Sequence, residues 1–142
     1  MPIDPSVAVG AELPAEDFSW TPSDVQLYHL ALGAGVDPLD PGELRYTVED
    51  RLHVLPTFAV VAQTVHRFEP PQVEYPGISI DLAKVLHGTQ RVDVHRPLPT
   101  DGKARAAARV KGVYDKGAAA VIETETLVTD LDGVPLWTNT SS

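Results

Sequence analysis

The sequence predicts an α+β fold, an antiparallel meander laid against one central helix. Three observations point there. Residues 91–95, 104–113, 119–128 and 134–138 alternate apolar and polar side chains as half-buried strands do. Turn signals separate them at 97–102, 115–117 and 130–133, and Asp132-Gly133 is a strong hairpin pair. Ahead of the meander, Phe58, Ala59, Val60, Val61, Ala62 and Val65 make a run from Thr57 that is apolar nearly all round. A helix with so little polar face is expected to be wrapped by other structure. Without an internal repeat or low-complexity tract, residues 1–142 are expected to form a single domain.

The remaining elements follow from local chemistry. Residues 1–20 are proline-punctuated and mildly apolar, ending in Phe18-Ser19-Trp20. A helix should begin after Thr21: threonine can cap, Pro22 suits the first helical position, and Asp24 complements the positive end of the helix dipole. Its apolar residues Val25, Leu27, Tyr28, Leu30, Ala31 and Leu32 are stopped by Gly33 and Gly35. Residues 37–42 read as a loop, and Leu44-Arg45-Tyr46-Thr47-Val48 as a short strand. Residues 52–55 look buried and end at Pro56. Pro70, Pro71 and Pro76 argue against regular structure as far as Gly77. Trp20 and Trp137 are read as apolar anchors.

Composition excludes several function classes. Of the 142 residues, 43% are hydrophobic and 22% charged, which suits a folded domain rather than a disordered one. A net charge of −9 argues against nucleic acid, which needs a concentrated positive surface. With no cysteine there is no disulfide framework and no thiolate metal site, and a reducing cytoplasm is the expected setting. No basic-then-apolar leader opens the chain, and no apolar run reaches the roughly 20 residues that span a bilayer, so no membrane is expected. The five histidines lack ligand spacing, so no metal is expected. His53 and His66 should border the core. Lys103, Arg105, Arg109 and Lys111 should form the solvated face of a strand.

Five short segments carry a resemblance to a known family: Val54-Leu55-Pro56-Thr57-Phe58, Tyr75-Pro76-Gly77-Ile78, Val85-Leu86-His87-Gly88, Pro97-Leu98-Pro99 and Asp115-Lys116-Gly117. Taken in order, they resemble the N-terminal half of type-2, (R)-specific enoyl-CoA hydratases, relatives of the MaoC dehydratases built from two fused hot-dog folds. The resemblance implies a hot-dog fold, a curved antiparallel sheet around a central helix. That helix is shortened or displaced in the N-terminal half, leaving room for a bulky acyl tail, with residues 70–77 as a loop over the space. It also implies acyl-CoA as the bound molecule, hydration of a trans-2-enoyl-CoA as the chemistry, and no cofactor besides the coenzyme A thioester itself. The partner would be a second hot-dog, either the catalytic half or another copy.

Hydrating an enoyl thioester needs a base for water, an acid for the α-carbon and a donor to the thioester oxygen. The family supplies its acid–base residues from an Asp-x-Asn-Pro-x-His segment of the other half. Here Asp37-Pro38-Leu39-Asp40-Pro41 lacks both the Asn and the His, and residues 50–53 have the wrong spacing. No catalytic residue is therefore assigned, and Asp81 with His87 is not read as an acid–base pair. The resemblance does place His87, Gly88 and Lys116 against the CoA moiety. On residue chemistry alone, His87-Gly88 also reads as an ordinary helix end, and Lys116 as a solvated turn lysine. Glycine permits close approach of a ligand to backbone, and a lysine at a strand corner can meet a phosphate.

Three function classes remain: the acyl-CoA-holding half of a fatty-acyl or steroid side-chain enoyl-CoA hydratase, a separate non-catalytic subunit for a MaoC-type partner, and a free-standing hot-dog thioesterase. The chain ends at residues 138–142, inside its expected last strand, which favours the first class.

Overall fold

Residues 90–141, where the sequence alternates with period 2, pair into one antiparallel sheet that a strand at 16–20 extends at one edge. The structure, a computed structural model, describes residues 3–69 and 74–142. The sheet's strands, in order across it, are β1 (Glu16–Trp20), β5 (Gly102–Asp115), β6 (Ala120–Asp130), β7 (Pro135–Ser141) and β4 (Gln90–Val94). A two-stranded ribbon, β2 (Glu74–Tyr75) with β3 (Ile78–Ser79), stands apart from them. The four strands expected of the meander are all present, and Asp130 closes the β6–β7 turn by accepting from the N–H groups of Asp132 and Val134, with Gly133 at φ +84°.

Register divides the sheet into two faces. Val94, Trp137, Val128, Ala106 and Glu16 lie side by side in one row, and Val92, Asn139, Thr126 and Ala108 in the next. The inner face at the first row carries the larger core, where Trp20, Phe58, Ala104, Val128, Leu136 and Trp137 pack together. Trp20 and Trp137 meet edge to face at 5.7 Å, and Trp20 Nε1 donates to Pro99 O. On the outer face Arg105, Arg109 and Lys111 are exposed and pair with Asp17, Glu125 and Glu123, as alternation requires.

The helix α2 (Pro22–Ala31) starts as expected. The Thr21 hydroxyl accepts from Asp24 N, and the Asp24 carboxylate accepts from Thr21 N, a reciprocal capping box. Its inward residues are Val25 and His29, both fully buried. The proline-punctuated N-terminus, which sequence alone left unassigned, contributes a four-residue helix α1 (Pro5–Ala8) and β1.

Four expectations are corrected. The segment 44–48 is not a strand. Asp40 accepts from Gly42 N and Pro41 takes the first helical position, so α3 (Pro41–Leu44) forms instead and runs into a turn. The central helix from Thr57 is reduced to a 3₁₀ segment (Pro56–Val60) followed by turns, with bonds running mostly from residue i to i−3, such as Val61 N to Phe58 O and Thr64 N to Val61 O. The β-branched residues Val60, Val61, Thr64 and Val65 disfavour a helix, and the Thr64 hydroxyl bonds back to Val61 O. Regular pairing resumes at Glu74, before Gly77; the rest of the proline-rich stretch, 70–73, lies outside the described residues. Finally, His53 and His66 are exposed, and His29 is the core histidine.

Candidate functional site

A shortened central segment leaves part of the inner face uncovered. On β5 that face is built from Ala104, Ala106 and Ala108, and on β6 from Thr124 and Thr126. Small side chains under a segment that stops short leave a chamber of about 220 Å³, roofed by Leu13, Pro14, Gln63, Arg67 and Tyr75. A larger groove of about 440 Å³ runs along β1 beside residues 62–69. The chamber and the groove share Glu16, Gln63 and Arg67.

The uncovered face is polar where the core ends. Thr124 and Ser141 hydroxyls bond to each other at 2.9 Å. Asn139 Nδ2 donates to Ala59 O, while its Oδ1 is buried without a partner among the described residues. Beyond this belt a smaller apolar cluster forms around Ala8, Ile78 and Val110. Gly77 is required there: its φ is +72°, and a Cβ would lie 2.8 Å from Asp4 O. The Tyr75-Pro76-Gly77-Ile78 segment is thus a clip that fastens the N-terminal arm, through Asp4 N to Gly77 O and an Ile3–Ile78 bridge.

His87, Gly88 and Lys116 all lie on the surface at one end of the sheet, where β4 begins, β7 ends and β5 turns into β6. They are not side by side: β4 and the β5–β6 turn are separated by roughly 10–15 Å of intervening strands. Gly88 N donates to Ser142 O at 2.6 Å, and a Cβ on Gly88 would sit 3.2 Å from that oxygen. The close approach that glycine permits is therefore made, in the first instance, to the chain's own Ser142, just past β7. The turn before it is a 3₁₀ segment (Leu82–Lys84) capped by Asp81, whose carboxylate accepts from Ala83 N. Lys116 sits in a turn held by Gly117 (φ +78°) and by Asp115 Oδ1 accepting from Gly117 N. Its ammonium lies 5.9 Å from the Tyr114 ring centre and makes no carboxylate contact among the described residues.

Three cations on the outer face of the sheet, Arg105, Arg109 and Lys111, are paired with carboxylates. The hydrogen bond to Glu123 raises the Lys111 ammonium above its ordinary range, and Arg109 holds the Glu125 carboxyl below its own. Arg105, Arg109 and Lys111 thus already have carboxylate partners. Among the described residues no cluster of three or more His, Asp or Glu could hold a metal, and no helix is long and apolar enough to cross a membrane.

The curved antiparallel sheet with a chamber on its inner face is shared with hot-dog proteins of the MaoC-like class. Full-length peroxisomal multifunctional enzyme type 2 from Drosophila melanogaster superposes with a TM-score of 0.71 at 26% identity, covering 89% of this chain and 22% of that one. A MaoC-like dehydratase from Phytophthora capsici shares the fold at a TM-score of 0.70 and 24% identity, covering 93% and 45%. Residues 18–142 match the family model for the MFE-2 hydratase 2 N-terminal domain, and the chain belongs to that family. It is 56% identical to enoyl-CoA hydratase ChsH3 of Mycobacterium tuberculosis over 100% of its own length and 50% of that protein. It is 34% identical to the mouse peroxisomal multifunctional enzyme type 2, over 81% of this chain and 16% of that one. The chain thus spans half or less of these relatives.

Proposed function

We propose that this chain is the non-catalytic, acyl-CoA-holding half of an (R)-specific 2-enoyl-CoA hydratase acting on fatty-acyl or steroid side-chain thioesters. The observation that carries the reading is the chamber left where the central segment stops short, floored by alanines and threonines and sharing Glu16, Gln63 and Arg67 with an open groove. An apolar acyl tail buried there would gain roughly 0.8 kcal/mol per methylene. His87, Gly88 and Lys116 at one end of the sheet would meet the CoA portion, with the Lys116 ammonium facing a phosphate or carbonyl oxygen. Since the sequence lacks the Asp-x-Asn-Pro-x-His segment, the acid and base come from a second hot-dog. The exposed apolar residues Leu27, Leu30 and Leu32 on and just after α2 fit a surface that a partner covers.

The deciding experiment measures hydration of a trans-2-enoyl-CoA by the purified chain, alone and paired with a catalytic hot-dog. Activity only in the pair is expected. Hydration by the chain alone, abolished by His87→Ala, would move the active site here and overturn the reading. A second reading, a separate subunit that partners a MaoC-type hydratase, is favoured by one likeness. Chains of the HadBC 3R-hydroxyacyl-ACP dehydratase complex of M. tuberculosis include one that matches this chain end to end in fold (TM-score 0.65, 16% identity, 99% and 97% covered).

A further inference from the structure

Glu16 is the one anomaly on the inner side of β1. Register aligns it with Phe18 and Trp20, the residues that point into the core, yet it is a carboxylate. Two donors from the segment opposite reach the same oxygen: Gln63 Nε2 at 3.0 Å and the Arg67 guanidinium. Among the described residues, these three side chains line both the chamber over β5 and β6 and the groove along β1. They form a polar bar between two spaces that would otherwise run together. Carboxylate and guanidinium are each partly exposed, 46% and 34%, so the pair holds weakly and its opening is cheap.

We propose that the Glu16–Gln63–Arg67 bar sets how far an apolar acyl group reaches, and so acts as the specificity-determining element of this half-site. The inference rests on the acyl-binding reading above. Closed, the bar ends the chamber in a charged wall, which a hydrocarbon cannot cover without stripping water from the carboxylate and guanidinium. Open, it joins the chamber of about 220 Å³ to the groove of about 440 Å³, and a longer or bulkier tail is admitted.

The test titrates straight-chain acyl-CoAs of increasing length into the chain, alone and paired with a catalytic hot-dog, following the fluorescence of the buried Trp20 and Trp137. Affinity of the unmodified chain should rise with length and then level off. In Glu16→Ala the plateau should move to longer tails, with a gain of about tenfold for each two methylenes newly admitted. Tails shorter than the original limit should bind as before. The exchanged pair, Glu16→Arg with Arg67→Glu, should restore the limit. Arg67→Ala, which leaves β1 untouched, gives the same readout if Glu16→Ala does not fold. An unmoved plateau in both single variants, or an equal change at every length, overturns the bar and leaves the acyl reading standing. If the unmodified chain shows no dependence on tail length in either form, the acyl reading and the bar fall together.

Discussion

Replacing His29 by leucine separates packing from hydrogen bonding at one fully buried position. The imidazole spans two elements: Nδ1 lies 2.7 Å from Tyr46 O, and Nε2 lies 3.1 Å from Leu55 N. Because a backbone N–H can only donate, Nε2 must accept, so Nδ1 carries the proton and donates to Tyr46 O. Leucine fills similar space but strands a carbonyl and an amide, each at a cost of about 1–3 kcal/mol. Added apolar burial offsets no more than about 1–2 kcal/mol. The net loss should be about 1–4 kcal/mol, a large share of the 5–15 kcal/mol typical of a whole domain. Urea unfolding should show a lowered midpoint with an unchanged slope. His29→Gln, with a donor and an acceptor on one amide, should recover part of the loss. A change under about 0.5 kcal/mol in His29→Leu would refute the assignment of both bonds.

Gly77→Ala should cost about 2–4 kcal/mol, read by thermal or urea unfolding, since the left-handed φ and the 2.8 Å approach to Asp4 O both resist a side chain. Burial by itself raises the Asp24 carboxyl, but hydrogen bonds from Thr21 and the nearby His66 outweigh it and hold the group below its ordinary value. The cap's contribution is therefore complete above about pH 3.9, the unfolded value, and is lost as pH falls through the lower folded one; Asp24→Asn should flatten that acid limb of a stability–pH curve. Lys116→Ala should weaken acyl-CoA binding to the paired protein by about 1–3 kcal/mol, with less salt dependence than before, by calorimetric titration. Light scattering at micromolar concentration should give more than a monomer mass for the chain alone, because its exposed leucines and sheet edges seek a partner.

The meander was legible because alternation with period 2, punctuated by turn signals at 97–102, 115–117 and 130–133 with Asp-Gly among them, admits few other folds. The α2 cap was legible because Thr21, Pro22 and Asp24 each do a local job. The segment 57–66 misled because its apolar residues fit a helix by pattern while their β-branching opposes one, and tertiary room decided between them. Glu16 escaped notice for a related reason: its partners Gln63 and Arg67 are far along the chain, and nothing local marks a carboxylate as inward-facing. His29 was passed over because its two acceptor and donor groups belong to the backbone, whose placement sequence does not announce. Gly88 was singled out for approach to a ligand, and the structure supplies a nearer neighbour in Ser142.

The two apolar clusters on the inner face are separated along β6 and β7 by a belt of Thr124, Thr126, Asn139 and Ser141, and that division bears on how the molecule breathes. Water can enter such a belt at little cost, so the smaller cluster need not unfold together with the larger one. The amides of Asp4 and Gly10, bonded to Gly77 O and Val110 O, should exchange with deuterium through a partial opening of lower free energy than the amides around Trp137 and Val128. That opening would detach the N-terminal arm and the β2–β3 ribbon while the sheet stays intact. It would also loosen the wall of the chamber at Leu13 and Tyr75, giving a rigid sheet one yielding side through which a tail too broad for the closed form could enter.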